Sequence, residues 1–274
     1  MKKILLILLV VITNAVLAME TAGMAGAFLR YGLDARSESL GRAMTADRKS
    51  AFSIFFNPSA ASAVSEKQIL TGMKILSMDR NFAYLTYVHP MRENATISVG
   101  ILYSGTSDIE GRDKDGDQFA TYSYNENMFY LNFGLKPKEF LSIGVSTKIL
   151  WARYPEFDAN SETVNSLTFA FDAGCNFFIP AYQDIVFGFV ARNVKGKNSW
   201  DSSTVWTDGT ATTDYYPETF SLGVSWNPEF NKDINFYGDI NSNKFKDYGY
   251  GFGMEWSNKF EDKDSAIALR MGTI

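Results

Sequence analysis

From about residue 67 to the end of the chain, apolar and polar residues alternate with a period of two. Leu167, Phe169, Phe171, Ala173, Cys175 and Phe177 share one parity, and Thr168, Ala170, Asp172, Gly174 and Asn176 the other. The same holds for Leu141, Ile143, Val145, Thr147, Ile149 and Trp151 against Ser142, Gly144, Ser146 and Lys148. Phe220, Leu222, Val224 and Trp226 oppose Ser221, Gly223, Ser225 and Asn227, and Ile97, Val99, Ile101 and Tyr103 oppose Ser98, Gly100 and Ser104. Side chains alternate faces along a strand, so each run predicts a strand with one greasy and one polar or small face. Eleven strands are expected, over 68–78, 80–89, 94–104, 124–136, 140–154, 164–178, 184–194, 217–227, 233–242, 247–257 and 264–273.

A soluble sandwich also alternates. Three features point to a bilayer instead. The runs have the length, about 9–13 residues, that a tilted strand needs to cross a membrane. The connections alternate between tight turns (136–139, 180–183, 227–232) and longer polar stretches (105–122, 155–163, 195–215). Barrels of the outer membrane place short turns on the periplasmic side and long loops outside. Aromatics also collect at strand ends: Trp226, Phe230, Trp256 and Phe260 near turns, and Tyr122, Tyr124, Trp151, Tyr154, Tyr215 and Tyr216 near loops. Two interfacial girdles would look like this.

The N-terminus adds the compartment. Lys2 and Lys3 precede an apolar run from Ile4 to Val11, and Val16-Leu17-Ala18 places a cleavage site after Ala18. That is a secretory signal, 1–18, too short to span a bilayer as a helix. The remainder carries no long apolar run. Its formal charge of −5 becomes −7 once Lys2 and Lys3 are removed, and an acidic chain without a basic stripe excludes nucleic acid. The single cysteine, Cys175, precludes an internal disulfide. With 22 Phe, 14 Tyr and 5 Trp but 7 Pro, the composition favours strands. The chain is therefore expected to be all-β, a transmembrane antiparallel barrel over 67–274.

Residues 19–66 differ. They are rich in Ala, Gly and Ser, show no alternation, and permit a short helix over Ser37–Ala46 and a break at Asn57-Pro58. A segment too small to fold alone is expected to plug the barrel. Eleven strands leave an unpaired edge, which is costly in lipid, and the chain stops inside a strand at Arg270-Met271-Gly272-Thr273-Ile274. The expectation is a sequence lacking about three C-terminal strands.

Within the plug, Gly26-Ala27-Phe28-Leu29-Arg30-Tyr31-Gly32, Ala35-Arg36, Leu40-Gly41-Arg42-Ala43, Ala46 and Phe56-Asn57-Pro58-Ser59-Ala60 form an ordered signature. It resembles the N-terminus of the PorV/PorQ family, barrels related to FadL-type transporters of long-chain fatty acids. Weaker pieces extend the likeness over nearly all of the remaining chain: Phe171-Asp172-Ala173-Gly174, Gly188, Arg192-Asn193, Pro217-Glu218, Leu222-Gly223, Asp239, Gly253-Met254-Glu255 and Leu269-Arg270-Met271-Gly272. Two departures stand out. The family writes Asn-Pro-Ala-Gly where this chain has Asn57-Pro58-Ser59-Ala60, and Asp34 stands where Gly is common. The resemblance implies a barrel of about fourteen strands with a hatch, whose motif residues here are Phe28, Leu29, Arg30, Arg36, Gly41, Asn57 and Pro58. It further implies either reception of exported cargo for the type IX secretion system, with secretion-machinery subunits as partners, or passage of hydrophobic small molecules.

Candidate chemistry is sparse. Asp113, Asp115 and Asp117 surround Gly116 as in a calcium loop, but the closing bidentate Glu is missing, so a solvated acidic turn is expected and no metal is assigned. Gly249, Gly251 and Gly253 alternate with Tyr248, Tyr250, Phe252 and Met254; with no helix following, they are a lumen face and not a dinucleotide loop. His89 is the single histidine and has no partners for a triad. No nucleophile motif, enzyme activity or cofactor is expected. Lys148, Asp172, Arg192, Asp239, Glu255 and Arg270 all fall on the inner parity. Charges at membrane depth are tolerated only inside, so they are expected to hold the plug through ion pairs, or else to line a polar path for substrate. Trp200, Trp206, Tyr215 and Tyr216 are expected to be exposed on external loops, where aromatic anchors suit protein contact. The function expected first is binding or shuttling of exported proteins at the outer membrane, in contact with its lipid. Passive transport of a hydrophobic ligand comes next, and then a structural envelope scaffold.

Overall fold

A computed structural model describes residues 25–154, 164–179, 182–201, 203, 208–243, 248–259 and 266–274. The signal segment, the 155–163 stretch, Trp206 and Phe260 lie outside the described residues. Thirteen strands follow a helical N-terminal segment: β1 (Gln68–Leu76), β2 (Arg80–Arg92), β3 (Ala95–Arg112), β4 (Gln118–Lys138), β5 (Leu141–Arg153), β6 (Asn165–Ile179), β7 (Tyr182–Val194), β8 (Lys197–Asp201), β9 (Ala211–Tyr215), β10 (Thr219–Trp226), β11 (Ile234–Asn243), β12 (Tyr248–Lys259) and β13 (Ala266–Thr273). Eleven of them form one sheet in the order β1-β2-β3-β4-β5-β6-β7-β10-β11-β12-β13, antiparallel between successive neighbours. Strands β1 and β13 are the edges, each with one partner. Among the described residues no helix is long and apolar enough to cross a membrane.

The eleven sheet strands coincide with the eleven that the alternation predicts, and the parity assigns the faces correctly. Phe169, Phe187, Leu222 and Phe252 are exposed on the outer face, while Ala170, Asp172, Asn176 and Ser221 are buried inside. Two of the predicted loops are corrected. Most of 105–122 is strand, because β3 and β4 run on to Arg112 and back from Gln118, closing through residues 113–117. Beyond Thr106↔Tyr124 the two strands pair only with each other, so they rise above their neighbours as a hairpin. The 195–215 stretch contains the separate β8–β9 ribbon.

Inside the sheet, residues 25–66 form four short helical turns and no strand: 3-10 turns at Ala27–Arg30, Ala51–Phe55 and Pro58–Ala63, and the helix α1 (Ala35–Ser39). The predicted helix over Ser37–Ala46 is thus corrected to Ala35–Ser39. Asp34 caps it, accepting from Ser37 N at 3.0 Å, and Gly41 and Arg42 then take left-handed backbone that ends it. Asp34, the departure from the family pattern, therefore has a local job as N-cap.

The core lies between this hatch and one half of the wall. Phe28, Leu29, Leu33, Leu40, Met44, Phe55 and Phe56 of the hatch pack on Phe82 and Tyr84 of β2, Leu102 of β3, Met128 and Tyr130 of β4 and Leu150 of β5. These wall residues point inward, where the alternation predicts polar or small side chains. The inward face is most apolar where β2–β5 meet this cluster, although Asn132, Ser146 and Lys148 of the same strands are also buried inside, and it is mainly polar along β6–β12.

Candidate functional site

The hatch sits on glycines. An added Cβ at Gly144 would meet the Pro58 backbone at 2.3 Å, at Gly174 the Asn57 side chain at 2.3 Å, at Gly188 the Thr45 carbonyl at 2.4 Å and at Gly251 the Gly41 carbonyl at 2.5 Å. The register joins these positions across strands: Gly134↔Gly144, Gly144↔Gly174, Gly188↔Gly223 and Gly253↔Gly272. The wall is thus reduced to main chain in a band around the hatch, and the small inner-face residues read from the sequence are its seat. Gly41 is the counterpart on the hatch, with φ +60 and no room for a Cβ beside Thr273 O at 2.1 Å.

Two side-chain clasps complete the seat. Asn57 caps the last 3-10 turn, its Oδ1 accepting from Ser59 N at 3.1 Å and Ser59 Oγ at 2.8 Å, while its Nδ2 donates to Thr45 O at 2.7 Å. Pro58 at the first position of that turn needs no N–H partner there. The second clasp is Arg36. Its Nη1 meets Asp47 at 2.9 Å and its Nε meets Glu255 of β12 at 2.8 Å, while Nη2 donates to the Tyr237 hydroxyl at 3.0 Å. Arg270 of β13 meets Glu255 from the other side at 2.6 Å. Burial opposes the charge on Arg36, but Asp47 and Glu255 outweigh it and hold the guanidinium charged well above its usual pKa. Asp47, which also accepts from Ser53 Oγ, is the member of this network that sequence reasoning missed. It looks like any polar loop residue, and nothing local marks its burial.

The other inner-face charges form a separate group. Lys148 meets Asp172 at 2.6 Å and donates to Asn193 Oδ1 at 2.8 Å, and Asn193 N donates to Asp172 at 2.8 Å. Asp239 accepts from Thr45 N at 3.0 Å and Thr45 Oγ1 at 2.7 Å, a third tie between hatch and wall. All six predicted lumen residues therefore lie inward, and Glu255, Arg270 and Asp239 belong to hatch contacts. Arg192 stands apart, with no hydrogen bond or ion pair from its side chain among the described residues.

Arg192 and Asp239 face a cavity of about 380 Å³ between hatch and wall. Ala27, Leu29, Tyr31 and Phe56 line its hatch side, and Asn193, Thr219, Asn241 and Tyr250 its wall side. Its surface is more apolar than polar, and its size is within the range of small-molecule sites. Of the hatch motif residues, Leu29, Arg30 and Gly41 line it directly, whereas Phe28 is in the core and Arg36, Asn57 and Pro58 fix the hatch.

The external aromatics are corrected. Tyr216 is buried at 1 % exposure and Trp200 at 7 %, whereas Tyr215 is exposed. The Tyr216 ring covers Gly26 and its hydroxyl donates to Asn198 at 3.0 Å. Trp200 packs edge-on against Tyr154 at 4.5 Å and donates from Nε1 to Asp214 at 2.9 Å. Their rings are consumed in fastening the β8–β9 ribbon over the mouth. Trp206 lies outside the described residues. In the acidic loop, the Asp113 Oδ1 accepts from the backbone N–H of both Asp115 and Asp117 at 2.9 Å, so this carboxylate closes its own turn.

No protein-family model matches the sequence, and no curated protein does. Solved structures do. A deltaS2S3 mutant of the monoaromatic hydrocarbon channel TodX superposes with a TM-score of 0.57 at 14% identity, over 88% of this chain and 82% of that one. The Pseudomonas putida toluene transporter TodX gives 0.55 at 12% identity over 88% and 82%, and the monoaromatic hydrocarbon channel CymD gives 0.52 at 12% identity over 87% and 81%. At such identities the likeness is one of fold alone.

Proposed function

We propose that this protein is an outer-membrane channel that passes hydrophobic small molecules through the space between hatch and wall. The observation that carries this reading is the cavity of about 380 Å³ between hatch and wall, with Leu29, Tyr31 and Phe56 among its lining residues, in a fold shared with hydrocarbon channels. The hatch rests on wall glycines through backbone contacts and is held by two clasps, and its Arg30, Gly41 and Arg42 line the cavity directly. The lipid-facing surface is continuous with outer-face Phe and Leu side chains, which suits a bilayer and no aqueous setting.

Reception of exported cargo, the type IX reading, rests on the resemblance of the plug residues to the PorV/PorQ family. It loses the contact surface expected at Trp200 and Tyr216, both buried, and therefore ranks second. The deciding experiment measures initial uptake of labelled toluene by cells that display the chain in a lipopolysaccharide-containing outer membrane, against cells without it. Faster uptake supports the channel. Equal rates, together with an exported protein co-purifying with the barrel, overturn it in favour of cargo reception.

A further inference from the structure

Among the described residues the Arg192 side chain has no hydrogen-bond or ion-pair partner, although two carboxylates lie nearby. Asp172 is taken by Lys148 and the Asn193 amide, and Asp239 turns its Oδ2 to Thr45 while its Oδ1 is itself buried without a hydrogen bond. The Arg192 Nε is buried without a hydrogen bond, and the guanidinium borders the cavity. A charged donor left unsatisfied away from bulk water is costly, and folded proteins keep such groups chiefly where something else completes them. Around it the cavity offers two further arginines, Arg30 and Arg42, against the single acid Asp239. Arg42 is paired with Glu38 at 2.8 Å and Arg30 is engaged as well, so Arg192 is the cation of this set positioned to take a new anion. On the hatch side of the same cavity, beside Arg30 and Arg42, Leu29 and Phe56 offer apolar surface.

We propose that the cavity binds a compact organic acid, its carboxylate on the Arg192 guanidinium and its apolar body against Leu29 and Phe56, in preference to a bare hydrocarbon of the same shape. Guanidinium and carboxylate pair through two parallel charge-assisted hydrogen bonds, a geometry that a planar fork favours over a point charge. Asn193 and Asn241, on the same side of the cavity, supply neutral polar groups beside the carboxylate. A volume near the low end of small-molecule sites selects a short or single-ring body over a long chain. This inference rests on the channel reading and names the chemical class that the channel would favour.

The test is equilibrium dialysis of labelled 4-methylbenzoate and of labelled p-xylene against the barrel in lipid nanodiscs, with empty nanodiscs subtracting partition into lipid. The expected result is saturable 4-methylbenzoate binding at least about tenfold tighter than p-xylene, reduced about tenfold to a hundredfold by Arg192→Gln. Arg192→Lys, which keeps the charge and loses the fork, falls between. The comparison of the two ligands on the unaltered protein stands even where a variant fails to fold. Saturable p-xylene binding equal to or tighter than that of the acid overturns the inference and leaves the hydrophobic channel standing. Binding of neither compound overturns both.

Discussion

Arg36 holds Asp47, Glu255 and Tyr237 at once, so its surroundings make the clearest residue-scale prediction. Glu255→Gln leaves Arg36 and Arg270 facing a neutral amide in a buried position. Breaking such a pair from one side costs on the order of 3 kcal/mol. Trypsin should then cut at Arg36, Arg42 or Lys49 in the variant under conditions where the barrel itself stays folded on a gel; resistance equal to the parent's would show that the clasp is dispensable. The glycine seat makes a paired prediction. Gly144→Val drives a branched side chain into the Pro58 backbone and should cost about 1–3 kcal/mol in urea unfolding. Gly238→Ala, whose Cβ would meet only side-chain carbons at 3.6 and 3.7 Å, should be nearly silent. Glu38 adds a pH dependence. Burial pushes its pKa up, but hydrogen bonds from Lys74 and Arg42 outweigh this and hold it below its ordinary 4.5. A carboxylate depressed in the folded state stabilises fully above its unfolded pKa and stops doing so as pH falls through the folded one. Protease protection of the hatch should therefore weaken as pH drops below about 4.5, and Glu38→Gln should flatten that part of the profile.

At the scale of elements, the β8–β9 ribbon is held less by its own five-residue strands than by the Tyr216 hydroxyl on Asn198 and the packing of its Trp200 on Tyr154. Tyr216→Phe removes the bond to Asn198 and should cost about 1 kcal/mol, whereas Tyr216→Ala uncovers Gly26 and should expose the start of the hatch to protease far more. Similar digestion of the two variants would place the anchoring elsewhere. The same ribbon marks where the sequence stops being legible. Strands such as β6 announce themselves because Leu167, Phe169 and Phe171 must face lipid while Asp172 and Asn176 face inward. Lys197-Asn198-Ser199-Trp200-Asp201 meets no lipid, so no apolar parity is imposed on it and it reads as loop. The upper ends of β3 and β4 fail for the same reason, since Ile109–Arg112 and Gln118–Tyr122 rise beyond their neighbours. The candidate site was half legible. Parity alone sends Lys148, Asp172, Arg192, Asp239 and Glu255 inward, but which of them pair depends on where a nonperiodic hatch lies, and Asp47 and Thr45 are set by contacts 190 or more residues away along the chain. The inward Phe82, Leu102, Met128 and Leu150 also hide, because an apolar residue on the expected polar face reads as a blemish in the alternation until its hatch partner is in place.

The whole molecule sets two solvents against each other across one sheet. Outer-face residues answer to lipid, so Phe171→Arg should lower stability in vesicles by about 2–4 kcal/mol if it lies near the midplane. Ser146→Arg is a different insult, filling the lumen and not the bilayer. It should leave folding into vesicles less affected than hatch protection, and the reverse order in urea titrations would mean that the faces have been exchanged. Inside, an apolar cluster along β2–β5 and a mainly polar face along β6–β12 assign two duties to one plug. One flank is cemented in the manner of a soluble core, and the other meets a cavity and movable ion pairs. Rearrangement on binding should accordingly be greatest at the cavity-lining residues 30, 41 and 42, with 51–63 kept still beside Leu150 and Gly144. Hydrogen exchange that quickens on ligand addition across 51–63 as much as at residues 30, 41 and 42 would contradict this.

The glycine band has a consequence for how such a protein can change. Main chain resting on main chain recognises a path and not a set of side chains. Mutation can wreck that contact but can hardly adjust it, and the hatch is free to vary its outward-facing residues without losing its berth. Selectivity and gating must then be inherited through the few positions that touch across the gap by side chain, chiefly Arg36, Asn57 and Thr45, with Arg192 looking out between them. A lineage could retune what passes through the wall by altering a handful of codons while the bearing on which the plug turns stays as it was.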